Sequence, residues 1–405
     1  MTNKPERMTP RERRASTWLA SIFALRMLGL FLILPVFAVH ARGMPGGTDP
    51  ALIGLALGAY GLTQALLHLP FGLASDRFGR KPVIVFGLLL FAIGSFVAAS
   101  ADTVAGVTVG RVLQGAGAIS AAVTAFIADS TRDSQRTKAM AMVGGSIGLT
   151  FAISLVSAPA LYAAVGMSGI FSLTGVLAVL AIPVALFVVP AAQPTIEPEA
   201  RSAPTQRTTL REVMLNADLL RLNLGIFVLH SVQMAMFVVV PGWLVERAGL
   251  PLASHWQVYL GVVLLSFLLM VPPLFWSERR GRLRAVFLGS VALLLAVALL
   301  FAGEPSGLWP MAGLLLLFFA GFNILEASLP SLISRLTPPD AKGAALGVYN
   351  TTQALGLFAG GAVGGWVQSR GGGGAVFLMC AALLLVWLLA AFGQRRWPGR
   401  TSAAA

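Results

Sequence analysis

Apolar runs of about 18 residues or more follow one another along almost the whole 405-residue chain, separated by short turns rich in Gly, Pro and charge. Each run is long enough to cross a hydrocarbon core of roughly 30 Å as a helix. The runs do not alternate polar and apolar positions as barrel strands do, and a spanning helix satisfies its own backbone hydrogen bonds. The pattern predicts an all-α membrane protein of twelve helices. Six lie near residues 16–40, 51–75, 82–101, 103–130, 137–165 and 168–190, and six near 219–245, 255–277, 284–302, 307–334, 342–368 and 374–393.

Between the two sets, Pro190 to Leu210 carries Gln, Pro, Glu, Thr, Ser and Arg and reads as a linker. Its continuation, Thr209 to Arg221, is expected to form a short surface helix leading into the seventh span. The expected domains are a six-helix bundle over 1–190, a linker over 191–217, a second bundle over 218–394 and a tail over 395–405. Landmarks recur between the halves. Pro35 and Pro241, Gly43 and Gly249, Thr131 and Thr337, and Arg136 and Lys342 are each 206 positions apart; Asp76 and Glu278, and Arg80 and Arg282, are 202 apart. Two small compensating gaps, one before Asp76 and one after Arg80, reconcile the spacings, so the halves read as a duplication. Six helices per half make the repeat parallel, an arrangement that places a binding site between the halves near the midplane and exposes it alternately as they rock.

Composition narrows the class. The chain is 57% hydrophobic and 11% charged, against about 25% charged for soluble domains, which excludes an ordinary soluble enzyme. A net charge of +13 raises the possibility of nucleic acid, and the placement of the charge answers it. All Lys and Arg except Arg26, Arg42, Arg111, Arg247 and Arg370 fall in the tails and the even-numbered turns. By the positive-inside rule both termini are cytoplasmic, and the charge faces the anionic leaflet of a bacterial inner membrane instead of nucleic acid. The first apolar run follows Arg11, Arg13 and Arg14, is too long for a signal-peptide core and lacks a small-residue cleavage site, so it is read as a retained helix. The lone Cys380 sits in the last span as a packing residue, and neither a metal site nor a cofactor is expected.

The turn after span two, Gly72-Leu-Ala-Ser-Asp76-Arg77-Phe-Gly79-Arg80-Lys81-Pro82, holds the densest chemistry. Gly72 would let another backbone approach, Gly79 permits a tight turn, and Pro82 suits the start of the next helix. Asp76 at a helix end can be held ionised by a nearby Arg or helix N-terminus. Arg77, Arg80 and Lys81 face the anionic leaflet or pair with acids such as Asp129. Topology alone needs neither Asp76 nor the glycines, so the run is read as a latch. It returns as Glu278-Arg279-Arg280-Gly281-Arg282, with Leu274 where Gly72 stands and no final basic residue, which makes the second latch the weaker.

This run resembles the signature loop of the major facilitator superfamily, and Arg111-Val-Leu-Gln114-Gly115 in span four is similar to the family's Arg-x-x-Gln-Gly motif. The likeness is to its drug/proton antiporter group, without an appended soluble domain. It implies that Asp76 docks at the start of span eleven in the outward-facing state. It also implies a charge relay of Arg80 with Asp129, beside which Arg136 is a further cytoplasmic gating charge, and support of proton coupling by Arg111. Spans one, four, seven and ten would line the cavity with Arg26, Arg111, His230 and Glu326. The chain departs from the antiporter pattern in span five, where Ser154-Leu-Val-Ser-Ala158-Pro159 keeps only the proline.

Glu326 is the acid well inside a span, about nine residues or roughly 13 Å from Arg335. A carboxylate at that depth can load and release a proton, or form a static pair with Arg26 on span one. His230 can titrate or rest neutral against backbone or a hydroxyl, the commoner arrangement, and His68 is the weaker candidate. Gln64, Gln114, Gln233, Asn323, Asn350 and Gln353 either face a cavity or join helices. Gly144, Gly145 and Gly148 in span five, and the glycines of span eleven, form small-residue packing stripes.

These readings converge on a proton-coupled secondary transporter, an exporter of small amphiphiles expected to work as a monomer in the bilayer. A proton symporter or facilitator for a small metabolite is the alternative on the same fold. No Gly-x-x-x-x-Gly-Lys-Ser/Thr loop supports ATP drive, and the clustered His, Asp or Ser groups of a membrane enzyme do not occur.

Overall fold

The computed structural model describes residues 8–191, 210–338, 341–394 and 396–397, and among these it is helical with no strand. The helices are α1 (Pro10–Phe31), α2 (Leu34–Ala41), α3 (Pro50–Phe78), α4 (Arg80–Ala99), α5 (Val104–Ala116), α6 (Ser120–Asp129) and α7 (Asp133–Pro183), then α8 (Leu210–Leu215), α9 (Ala217–Glu246), α10 (His255–Arg280), α11 (Leu283–Ala302), α12 (Leu308–Leu336) and α13 (Lys342–Phe392). Ten continuous stretches among the described residues are long and apolar enough to cross a membrane. Two of them, α7 and α13, run 51 residues each and are pairs of helices meeting at a kink, at Gly166 (φ 67°) and Gly372 (φ 74°). At about 1.5 Å per residue each has the length for two crossings, which accords with twelve spans.

Two spans read as single helices are broken. The first divides after Phe31 because Pro35 has no N–H and its ring collides with the carbonyl four residues back, that of Phe31 itself. The fourth divides at Gly117, where a Cβ would lie 2.4 Å from the Gly87 carbonyl oxygen of α4. That close approach draws the chain out of helical register between α5 and α6. The surface helix expected over 209–221 is shorter, limited to α8, and Asn216 then caps α9 by accepting from the amides of Asp218 and Leu219. The linker up to 209 and the tail beyond 397 lie outside the described residues.

The start of α1 is pinned from sequence outward. Thr9 and Glu12 form a capping box, the Thr9 hydroxyl accepting from the Glu12 amide and the Glu12 carboxylate accepting from the Thr9 amide. The same carboxylate accepts from the Arg132 amide at 3.0 Å and its guanidinium Nε at 2.9 Å, tying α1 to the turn before α7.

Packing divides the chain into two compact units, one within Met1–Pro35 and Thr63–Thr205, the other within Val36–Leu62 and Gln206–Ala405. In the first unit α1 packs on α7, and α4 on α5 and α7; in the second α9 packs on α13 and α10 on α12. The α9–α13 seam is close because it is built of glycine. A Cβ on Gly360 would sit 2.1 Å from the Ser231 carbonyl oxygen, and one on Gly356 2.5 Å from that of Phe227. The first part of α3 joins this unit by the same means, a Cβ on Gly54 falling 2.2 Å from the Gly361 carbonyl oxygen. The expected stripe in span five is different: among the described residues, nothing lies within 4 Å of a Cβ added at Gly144, Gly145 or Gly148. That stripe is open space here, a correction to its reading as a packing surface.

Gly360→Val therefore forces backbone apart in a closely packed seam. It should lower the unfolding temperature of the detergent-purified protein, by about 1–3 kcal/mol of stability or more. Gly144→Ala should leave it unchanged; equal losses from both would show that the seam is not where the constraint lies.

Candidate functional site

The hinge of the first unit is organised by one guanidinium. Gly79 links α3 to α4 with φ 91° and ψ 154°, a backbone conformation that a side chain resists, and this sharp turn brings Arg80 back over the last turn of α3. Arg80 Nη1 donates to Asp76 at 2.5 Å and to the Ser75 hydroxyl at 2.7 Å, while its Nε donates to Asp129 at 2.7 Å. Three elements, the ends of α3 and α6 and the start of α4, thus meet on a single side chain. Arg80 is 19% exposed whereas Asp76 and Asp129 are 62% and 42% exposed, so the two carboxylates are the more exposed partners of a largely covered cation.

Around this node, Lys81 Nζ donates to the Leu186 and Val189 carbonyls at 2.8 and 2.6 Å. Those oxygens belong to the π-helical end of span six, Val184–Val188, and the residue after it. Arg77 lies over the Phe78 ring, and Arg136 donates to the Ala128 carbonyl at 3.4 Å. Pro82 falls at the third residue of α4, within the first turn, where a missing N–H costs nothing. Gly72 is not crowded by backbone: a Cβ there would meet Ala121 Cβ at an ordinary 3.5 Å.

In the second unit the corresponding turn closes at Gly281, in left-handed geometry with φ 65°, and Arg282 lies over the Trp276 ring at 5.1 Å. The side chain of Glu278 lies outside the described residues.

Within the spans of the first unit, Arg111 Nη1 donates to Gln114 Oε1 at 2.9 Å, and Gln114 Nε2 donates to the Ser95 hydroxyl at 2.8 Å. The Thr174 hydroxyl reaches Ser95 at 3.4 Å. This buried chain joins α5 to α4 and α7, so Arg111 and Gln114 sit together in the Arg-x-x-Gln spacing and face packed helices. His68 Nε2 and the Ser120 hydroxyl are 2.8 Å apart, and Arg26 is buried in α1 of the same unit.

Glu326 belongs to the second unit, and there the structure assembles a cluster that linear spacing does not announce. From α13, Gln353 Nε2 lies 2.8 Å from His230 Nε2 on α9 and 3.4 Å from Glu326 Oε1 on α12. The other carboxylate oxygen, Oε2, is 3.8 Å from His230 Nε2. His230 Nδ1 faces the Ile226 carbonyl at 3.3 Å, and Phe322 meets the imidazole edge-on at 5.7 Å. The Glu326 side chain is 34% exposed, His230 7%. Tyr349 is buried within electrostatic reach of the carboxylate. Of the other expected residues, Asn323 donates to the Ser266 hydroxyl at 3.1 Å and joins α12 to α10, and Gln233 is buried in α9. No group of three or more His, Cys, Asp or Glu able to hold a metal occurs among the described residues.

Comparison with known proteins adds a family and a set of relatives. The sequence matches the Major Facilitator Superfamily over residues 19–361, with a second overlapping match over 261–402. It is 43% identical over 392 residues to the inner membrane transport protein YajR of Escherichia coli, covering 97% of this chain and 86% of that one. It is 29% identical over 373 residues to the multidrug resistance protein MdtH of Proteus mirabilis, covering 86% and 85%. Among solved structures it superposes, with a TM-score of 0.75 over 97% of this chain and all of the other at 13% identity, on a bacterial homolog of the human lysosomal transporter Spinster in an inward-facing and occupied conformation.

Arg80→Gln leaves Asp76 and Asp129 beside each other without their shared cation, and should destabilise the first unit. Because the carboxylates are exposed, the coupling of Arg80 to Asp129 should be about 0.5–1 kcal/mol in a double-mutant cycle with Asp129→Asn, read by reversible unfolding in mixed micelles. Strict additivity of the two substitutions would show that the pair is not energetically coupled.

Proposed function

This chain belongs to the major facilitator superfamily, and on that premise we propose that it is a proton-coupled antiporter. It would export small amphiphilic molecules across a bacterial cytoplasmic membrane by alternating access. The observation that carries this reading is the cluster of Glu326, Gln353 and His230, held by three different helices. As placed, the Gln353 amide donates to both neighbours. That requires a neutral imidazole whose Nε2 accepts while its Nδ1–H donates to Ile226. A proton arriving on His230 Nε2 turns that nitrogen into a donor, and Gln353 must then rotate to offer its oxygen. A proton arriving on Glu326 removes the negative charge that the amide and the imidazole face. Either event rearranges contacts between α9, α12 and α13, so protonation is linked to helix position. Inward proton movement supplies about 2.3 kcal/mol per charge per 100 mV.

The hinge at Asp76, Arg80 and Asp129 is the cytoplasmic gate in this scheme, with Arg77, Lys81 and Arg136 around it, and Glu278 and Arg282 mark its worn copy. Both termini are cytoplasmic. The gate and the coupling site belong to two six-helix bundles, 1–190 and 218–394, of a protein acting as a monomer. The relative named for multidrug resistance supports an amphiphilic cargo and outward transport.

Cells expressing the protein should extrude a lipophilic dye, and a protonophore should stop it. Glu326→Gln should insert normally yet lose the dependence on the pH gradient; an unchanged pH profile removes Glu326 from coupling. Asp76→Asn should reduce transport several-fold with expression intact, and wild-type rates in that variant would argue against the gate.

A further inference from the structure

The two hinge turns differ in the partner that their arginine is offered. In the first, Arg80 is received by Asp129. The residue 206 positions after Asp129 is Arg335, so the acid of the first copy is a base in the second. Arg282, the counterpart of Arg80, therefore lacks a counterpart of Asp129, while Glu278 stands at the place of Asp76, and the described contact of Arg282 is the face of Trp276 at 5.1 Å. A guanidinium over an indole keeps its charge, and its planar fork can meet an oxyanion in bidentate fashion. Arg279, Arg280, Arg282 and Arg284 all fall in the short stretch around the Gly281 turn, and all four are exposed. Arg284 Nη2 donates to the Phe392 carbonyl at 3.3 Å, which fixes the patch against the last turn of α13. Beside the arginines lie exposed aromatic groups, Phe275 at 59%, Trp276 at 37% and Phe392 at 54%, at the ends of the apolar faces of α10 and α13.

We propose that this worn hinge is a binding site for an anionic phospholipid, its phosphodiester held by Arg279, Arg280 and Arg282 and its acyl chains lying along Phe275 and Phe392. Dense positive charge, exposed guanidinium groups and exposed apolar surface beside them are the complement of a lipid phosphate with its hydrocarbon directly beneath it. A soluble anion would use only the first two features. A repeat element that latches in one half has become a lipid anchor in the other. The choice of leaflet rests on the topology given above, with this turn cytoplasmic. The binding itself does not, because lipid added in detergent reaches either end of the protein.

The test uses the purified full chain in detergent, titrated with phosphatidylglycerol, phosphatidylcholine or inorganic phosphate, with bound lipid counted by native mass spectrometry. Phosphatidylglycerol should be retained and should raise the unfolding temperature, while phosphatidylcholine and inorganic phosphate should do neither. The triple variant R279Q/R280Q/R282Q should bind phosphatidylglycerol roughly 100-fold more weakly. Removing the same charge from the amino-terminal tail, as R11Q/R13Q/R14Q, should leave binding intact. Trp276→Leu, which keeps every charge but removes the platform beneath Arg282, should weaken retention and serves if the triple variant does not fold. Retention by the triple variant or by Trp276→Leu equal to that of the natural protein, equal loss in the tail variant, or the same shift with inorganic phosphate would each overturn the proposal. Accessibility mapping of the termini from each side of the membrane tests the topology separately.

Discussion

A hydrocarbon interior offers no hydrogen-bond partners, and the molecule is shaped by that scarcity. Backbone groups are satisfied within helices, so each departure from helix has a local cause: Pro35 ending α1, the close approach at Gly117, the kinks at Gly166 and Gly372. Several buried polar side chains find partners of their own as well. Within the spans, Arg111 is met by Gln114, Gln114 by Ser95, and His68 by Ser120. Where water is within reach, at the helix ends, ionic groups gather in networks such as Glu12 with Arg132 and Arg80 with its two carboxylates.

Against that background, Glu326 is conspicuous for the looseness of its arrangement. Its bond from Gln353 is long at 3.4 Å, and its distance to His230 is 3.8 Å. The Arg80 contacts, all 2.7 Å or less, hold a turn in place. The Glu326 contacts are few and adjustable, and the amide between the two titratable groups can reverse its polarity by rotating. Rigid polar chains in the first unit and an adjustable one in the second fit the proposed division between scaffold and coupling site.

Much of this was legible in the sequence because a membrane imposes long apolar runs with charge between them. The spans and the hinge follow from local spacing, and Arg111 with Gln114 from the resemblance of their run to the family's motif. The break near residue 32 was encoded too, in Pro35, but its effect falls four residues upstream of the proline and inside an unbroken apolar run. The open glycines of α7, with Gly347 of α13, and the crowded ones of α13 such as Gly356 and Gly360 look alike as a pattern, since a small residue permits contact without requiring it. The joining of Gln353 with His230 and Glu326 was beyond reach, because they come from three helices and only tertiary packing brings them together. The segment Val36–Leu62, which belongs by sequence to the first half, packs with the second unit through glycine contacts that no linear signal specifies.

The antiport proposed above exchanges outgoing cargo for incoming protons carried by Glu326. The most direct measurement places purified protein in sealed vesicles with an imposed pH gradient and a trapped pH-sensitive dye, and then adds an amphiphilic cargo. The account predicts that cargo dissipates the gradient only when the natural protein is present, and that Glu326→Gln abolishes the proton movement. Cargo transport with no accompanying proton flux would contradict it.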